Sequence, residues 1–358
     1  MTENQDAIAR LGIRHPIIQG PFGGGLSTVA LAATVSNRGG LGSYGAHITA
    51  PEDIGALTHE LASATSAPFA LNLWVSDHDP GGEHLSDEAF ERLYPVFAPY
   101  FEELGLAKPT PPDRFHHRFD DQIEALLEAR PPVFSFVFGI PSQKILEECR
   151  RLGIRTMGAA TTLAEAEALD AAGVDLIVAT GLEAGGHRVS FLKSAEESLT
   201  GTFSLVQVAA AHVAAPVIAA GGIVDGRGVR AALTLGAGAA QIGTAFLACT
   251  ESGTNQAHRD MLFTAAARET ALTRSYTGRL ARGIRNRWVS EMAARETELP
   301  PFPVQSWFFG AIKAAALKAG REDLVSLYAG QSAPNLKHRS AIALMDDLIG
   351  DLESVRAA

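Results

Sequence analysis

Short apolar runs recur along the chain, and most of them end in glycine: PIIQGPF (16–22), GGLGSYG (39–45), FALNLWV (69–75), VFSFVFG (133–139), RTMGAAT (155–161), LIVATG (176–181), PVIAAGG (216–222) and AAQIGTAF (239–246). Runs this short and this continuously apolar predict strands buried on both faces. Between most of them lie segments with apolar residues at helical spacing, such as SQKILEECRRLG (142–153) and TLAEAEALDAAG (162–173). Strands alternating with helices predict an α/β fold whose parallel sheet is covered on its outer face. Eight such units favour a closed (β/α)8 TIM barrel over residues 10–250 rather than an open doubly wound sheet.

Two regions break the rhythm. Residues 76–130 are longer than one crossover requires and include KPTPPDRFHHRF, which predicts a helical insertion after the third strand. Residues 251–358 show no further strand repeat and predict a mainly helical C-terminal extension that packs on the barrel or caps its mouth. The uncharged run 198–224 is long enough to raise a membrane span. It contains Thr202, Gln207, His212, Pro216 and a Gly-Gly pair, so a helix followed by a short buried strand explains it better.

Composition narrows the function. A chain of 358 residues with 46% apolar and 20% charged residues is ordinary for a globular protein with a large core. Its formal charge of -10 argues against nucleic-acid binding, although it permits a local positive pocket for a phosphate. Cys149 and Cys249 have neither metal-ligand nor redox spacing, so no metal site is expected and a reducing, cytoplasmic setting is the default. The first residues carry no apolar signal core, which agrees with that setting.

In such barrels the reactive groups sit where the strands end, because the loops there converge over the core. AAGGI (219–223) and GAGAAQIGTAF (236–246) each put glycine at a strand end, after the seventh and eighth strands. Bare backbone N–H groups backed by a helix amino terminus suit a phosphate, though glycines also serve tight turns alone. On the other side, IIQGPF and ALNLW bring Gln19, Gly20, Pro21, Phe22 and Asn72 to the same mouth. An amide there can meet the donor and acceptor edge of a flavin, or merely satisfy local backbone. In GLEAGGHRVSFL (181–192), two glycines precede His187 just past the sixth strand. An imidazole in that place can take a proton at neutral pH or hold an anion, unless it is an ordinary loop histidine. Arg188 reads as structural and Glu183 as a residue that orients the loop.

Taken in order, HPIIQGPFGGG, ALNLWVS, GLEAGGHR, PVIAAGGIVDGRGVRAALTLGAGAAQIGTAFL, TGRLARGIRN and YAGQSA resemble the nitronate monooxygenase family, over about residues 10–335. The resemblance implies FMN held without a covalent bond, no metal, and oxidation of alkyl nitronates by O2 to a carbonyl compound and nitrite. Propionate 3-nitronate and neutral nitroalkanes are substrates within its range. It implies His187 as the catalytic residue and places the FMN phosphate on Gly221, Gly222, Gly243 and Thr244. The ring and ribityl chain fall near Gly20, Pro21, Phe22, Asn72, Ala160, Thr180, Gly181 and Gly186, and Gln331 joins them from the YAGQSA turn. Phe22 stands where family members often carry methionine.

Three alternatives stand beside this reading. FMN-dependent, NADH-linked enoyl-thioester reductases share the barrel and an EAGGH-like loop. An IMP-dehydrogenase-like enzyme needs a cysteine nucleophile after the sixth strand, and none lies between Cys149 and Cys249. A flavin-binding sensor without turnover would carry the same glycines. The expected partners are the small anionic substrate and O2, with no nucleic acid or membrane; a homo-oligomer is left open.

Overall fold

The computed structural model describes residues 3–75 and 85–356. All eight expected strands form: β1 Ile17–Gln19, β2 Gly42–Gly45, β3 Phe69–Trp74, β4 Val133–Val137, β5 Arg155–Ala160, β6 Leu176–Thr180, β7 Val217–Ala220 and β8 Ala239–Ile242. From β2 to β8 each strand pairs in parallel with the next. β8 returns to β1 with Ile17 opposite Ala240. A parallel bridge between Ile18 and Leu41, just ahead of β2, closes the ring.

Both faces of the strands are apolar because both are covered. Ala70, Val178 and Ile218 belong to the cluster inside the barrel, while their neighbours Leu71, Ile177 and Ala219 belong to the one beneath the helices. Successive side chains point to opposite faces, so two buried faces give continuous runs instead of an apolar–polar alternation. The covering helices start and stop where their sequences signal. Ser142 caps Gln143–Leu152 by accepting from Ile145 N, and Gly153 ends it at φ +75°. Thr162 and Gly173 do the same for Leu163–Ala172. At the barrel's amino end, helix Glu3–Leu11 brings Ala7 and Leu11 against Val133, Leu176 and Ala239, the first residues of their strands, and plugs the floor.

The part of the expected insertion at 76–84 lies outside the described residues; the remainder contains two helices. Asp87–Glu103 turns Phe90, Phe97, Tyr100 and Phe101 toward the extension, where Phe97 stacks on Phe308 at 4.2 Å and Tyr100 meets Trp288 at 4.9 Å. Phe119–Ala129 instead joins the barrel's helical layer through Ile123 and Leu126.

The extension is mainly helical and packs on the barrel, with two particulars that the sequence did not show. Thr270–Thr273 and Ala281–Ile284 are antiparallel strands, and the second also pairs with Gly186–His187. The two strands form a local hairpin, but TALT and ARGI carry no apolar run to signal it, and the second strand's other partner lies far away in sequence. Helix Ala341–Arg356, expected in the extension, packs its Ala341, Leu344, Met345 and Leu348 into the barrel core, between helices Val29–Asn37 and Gly226–Thr234. The roof is therefore residues 251–340, and the eighth position of the helical layer is filled from beyond it. Among the described residues, no helix is long and apolar enough to cross a membrane.

Candidate active site

A cavity of about 570 Å³ lies at the carboxyl ends of the strands, under the roof formed by the extension. That volume is typical of a site for a cofactor-sized ligand. Gly20, Pro21 and Phe22 line it beyond β1, Asn72 at β3 and Thr180 at β6. Opposite them stand Gly186 and His187, Gly221 and Gly222 after β7, and Gly243 and Thr244 after β8. The strand-end residues expected from sequence thus converge on one space.

The glycine turn after β7 is built in a way only small residues allow. Gly221 and Gly222 have φ of +111° and +72°, and a Cβ on Gly221 would come within 2.7 Å of Thr202 Oγ1. The Thr244 hydroxyl accepts from Gly330 N at 2.9 Å, and Ser332 Oγ donates to Gly222 O at 2.7 Å. The YAGQSA turn therefore clamps both glycine loops. Asn72 donates Nδ2 to Ser135 Oγ at 3.0 Å, while its side-chain Oδ1 makes no hydrogen bond among the described residues and the amide lines the cavity.

Several expected residues sit elsewhere. Ala160 is turned outward into the helical layer, and its neighbour Ala159 lines the cavity; one residue along a strand reverses the face. Gly181 lies beneath the wall, where a Cβ would meet Thr202 and Glu183. Gln331 is exposed, and only its backbone N–H is engaged, with Glu183 O at 3.0 Å. Gln19 is fully buried in the barrel wall, its Oε1 accepting from Ser43 N at 2.8 Å. Gly185 makes room for protein rather than ligand: a Cβ there would stand 2.5 Å from Gly330 N and 2.6 Å from the Ala329 carbonyl carbon. Gly186, at φ +81° with nothing near its missing side chain, opens to the cavity.

His187 is held by its neighbours. Its Nε2 lies 2.8 Å from Thr277 Oγ1, and Ala281 pairs with it across the ribbon. The Trp74 indole meets the imidazole edge-on at 5.0 Å, and Tyr328 lies 5.8 Å away. Burial, then the charges of Arg279 and His47, lower its pKa to about 3, so the ring is neutral at physiological pH. Part of the ring still faces the cavity, although protein surrounds it. Arg279 stacks its guanidinium over Phe138 at 3.7 Å, with Phe302 at 4.4 Å and Trp74 at 4.8 Å.

The flanking charges support the loop. Arg188 is 1% exposed and donates to the carbonyls of Gly181 at 2.6 Å, Thr180 at 3.1 Å and Ser198 at 3.1 Å. Burial and the nearby Arg282 lower its pKa to about 10, which leaves it charged at neutral pH. The Glu183 carboxylate accepts from Thr202 N and Oγ1 at 2.9 and 2.8 Å. Glu165, unremarked in the sequence, is fully buried and ties Thr161 at the end of β5 to the backbone N–H groups of Phe191 and Leu192.

Sequence reasoning also missed His47, Trp74 and Lys313 in the cavity wall. Lys313 comes from helix Val304–Lys318 and makes no hydrogen bond or ion pair among the described residues; burial pushes its ammonium below the usual lysine value. Trp74 closes the FALNLW strand already picked out, so counting two residues on from Asn72 along one face would have found it. Lys313 gave no such signal, since it projects from a roof helix whose position the sequence left open.

Comparisons with known proteins agree along the whole chain. The profile of the family described as nitronate monooxygenase matches residues 4–352. The nitronate monooxygenase of Pseudomonas aeruginosa is 42% identical over 349 residues, covering 96% of this chain and 97% of that one. A probable nitronate monooxygenase of Staphylococcus haemolyticus is 37% identical over 357 residues and covers 99% of both. Among solved structures, nitroalkane oxidase from Streptomyces ansochromogenes superposes with a TM-score of 0.88 at 34% identity, covering 98% of this chain and 99% of that one. FabK from Thermotoga maritima superposes with a TM-score of 0.74 at 28% identity, covering 98% of each chain.

Proposed function

The chain belongs to the nitronate monooxygenase family, and from that premise we propose that the mouth cavity holds FMN and receives an alkyl nitronate beside His187. Members of the family are generally flavin-dependent and take nitronates and O2 as substrates. The observation that carries the reading is the meeting of the clamped glycine turns, Gly221–Gly222 and Gly243–Thr244, with His187 in a single cavity. The turns suit the FMN phosphate, and Gly20, Pro21, Phe22, Asn72, Thr180 and Gly186 suit the rest of the cofactor. Once bound, the flavin supplies the electron transfer between nitronate and oxygen.

The chain's own residues then have three tasks. Lys313 gives the cavity a positive charge that draws in an anionic substrate. His187, neutral and fixed by Thr277, hydrogen-bonds that anion or takes the α-proton where a neutral nitroalkane enters. Trp74, Phe138 and Phe302 keep water away from the reacting atoms. Oxygen-electrode assays of the purified protein with ethyl nitronate, propyl-2-nitronate and propionate 3-nitronate, with nitrite and extracted flavin measured alongside, test the proposal. Bound FMN with nitrite formed as oxygen is consumed is the expected result. Prompt bleaching of the flavin by NADH, with no oxygen uptake on any nitronate, would turn the reading toward an enoyl-thioester reductase.

A further inference from the structure

We propose that His47 is a second substrate-binding edge in the cavity, donating its imidazole N–H to an oxygen of the anionic headgroup that His187 also receives. The inference rests on the reading of the cavity as a nitronate site.

His47 follows β2 and lies flat on Trp74, ring centroids 3.9 Å apart and planes 3° apart, while the other side of the array runs from Trp74 to the edge of His187. Its ring is pressed against the backbone of Gly23, where a Cβ would stand 2.1 Å from the imidazole Cε1. Glycine at 23 therefore gives the ring its place, and Trp74 fixes its plane.

What such a ring does with its nitrogens is the telling point. His187 has Thr277, and the buried His258 has the Tyr328 carbonyl at 2.9 Å. Neither nitrogen of His47 makes a hydrogen bond among the described residues; Nδ1 is sealed, whereas Nε2 keeps some exposure and the ring lines the cavity. Nδ1 is best left as the lone pair, which puts the N–H on Nε2, and a donor held at a cavity wall without a partner is costly where a phenylalanine would stack on Trp74 equally well. A partner supplied by the ligand to Nε2 accounts for the imidazole. Burial and the Arg279 charge lower the His47 pKa to about 3, so at neutral pH the ring is neutral and presents a single N–H, on Nε2, to the cavity. A nitronate spreads its charge over two oxygens, which gives each of two neutral imidazoles an acceptor.

His47→Phe keeps the stacked ring and removes both nitrogens; His47→Gln restores a donor. With preformed ethyl nitronate, the Phe variant should raise KM about tenfold or more, the worth of one hydrogen bond to a charged group. Its kcat, flavin content and visible spectrum should stay near wild type, and Gln should recover much of the loss. KM within twofold of wild type in a flavin-replete His47→Phe protein would mean that the ring only packs. A changed flavin spectrum with unchanged KM would mean that it faces the cofactor instead. Should the Phe variant not fold, ¹⁵N spectra of imidazole-labelled wild-type holoenzyme decide: sodium nitrate, a planar oxyanion, should shift the resonance missing from His47→Gln, and an unmoved resonance overturns the proposal. A wild-type enzyme inert toward every nitronate would defeat the reading of the site itself, whereas an active wild type with an indifferent His47 defeats this inference alone.

Discussion

Acidification tests the electrostatics in and around the cavity, because three imidazoles, His47 and His187 in its wall and His258 behind Tyr328, are kept neutral by their burial. His47 and His187 have pKa values lowered to about 3 and His258 to about 4, against an ordinary value of 6.5 in the unfolded chain. Below pH 6.5 the unfolded chain binds protons that the native protein refuses, so stability is full above that pH and is lost as pH falls toward the folded values. At pH 5 the unfolded side chain is 1.5 units below its pKa, which makes His258, 1% exposed, worth about 2 kcal/mol. The cavity-facing edges of His47 and His187 are screened by water, and discounting them to about 1 kcal/mol each gives a total loss of about 4 kcal/mol. That is a large share of the 5–15 kcal/mol roughly typical of a domain. Urea unfolding of the flavin-free protein, followed by tryptophan fluorescence at pH 7, 6 and 5, would measure it. His258→Gln should flatten the slope by up to one proton. A stability unchanged from pH 7 to 5, or a slope indifferent to His258→Gln, would refute the reasoning.

Four further outcomes follow from the same geometry. His187→Asn should slow turnover of neutral nitroalkanes more than that of preformed nitronates; equal losses on both would remove the proton-accepting role. With preformed nitronates, kcat/KM should show no acid limb near pH 6.5, because His187 stays neutral far below it. Arg188→Met removes the side-chain donor that the carbonyls of Thr180, Gly181 and Ser198 share, leaving Gly181 only its bond from Ala184 N, and should cost about 3 kcal/mol or more in urea unfolding. Gly185→Ala drives a Cβ into the Ala329–Gly330 backbone, which cannot yield, so the purified variant should carry several-fold less flavin; stoichiometric flavin would contradict the clamp.

The barrel was legible because its signals are local. Each strand is a short apolar run, each cap is one residue, and the glycine turns stand next to the strands they end. The same locality brought out His187 and both phosphate-type turns. Where the outcome depended on facing or on distant chain, sequence gave less. Ala159 and Ala160 differ by a single pleat, and no composition tells which faces in. Gly185 looks like clearance for a ligand until the Ala329–Gly330 backbone, far along the chain, is seen against it. His47 and Lys313 enter the cavity from a loop and a roof helix, and their meaning comes from Trp74 and the burial around them. The strand at 281–284 pairs both with 270–273 nearby and with 186–187 far away, and neither TALT nor ARGI carries the apolar run that marked the barrel strands.

The helix Ala341–Arg356 also sets the order in which this molecule can be made. Strand β8 ends at Ile242, but the helix that packs beside its neighbours emerges from the ribosome only after the whole roof has been synthesised. Until then the flank between helices Val29–Asn37 and Gly226–Thr234 is open and apolar, a place for a chaperone or for misassembly. Closing so long a loop carries an entropic cost that grows only slowly with its length, so the arrangement is tolerable thermodynamically though late in time. For the protein engineer it means that a cut at residue 250 removes a barrel stave along with the roof. A graft that exchanges substrate specificity by exchanging roofs has to be spliced at both ends, leaving 341–356 behind.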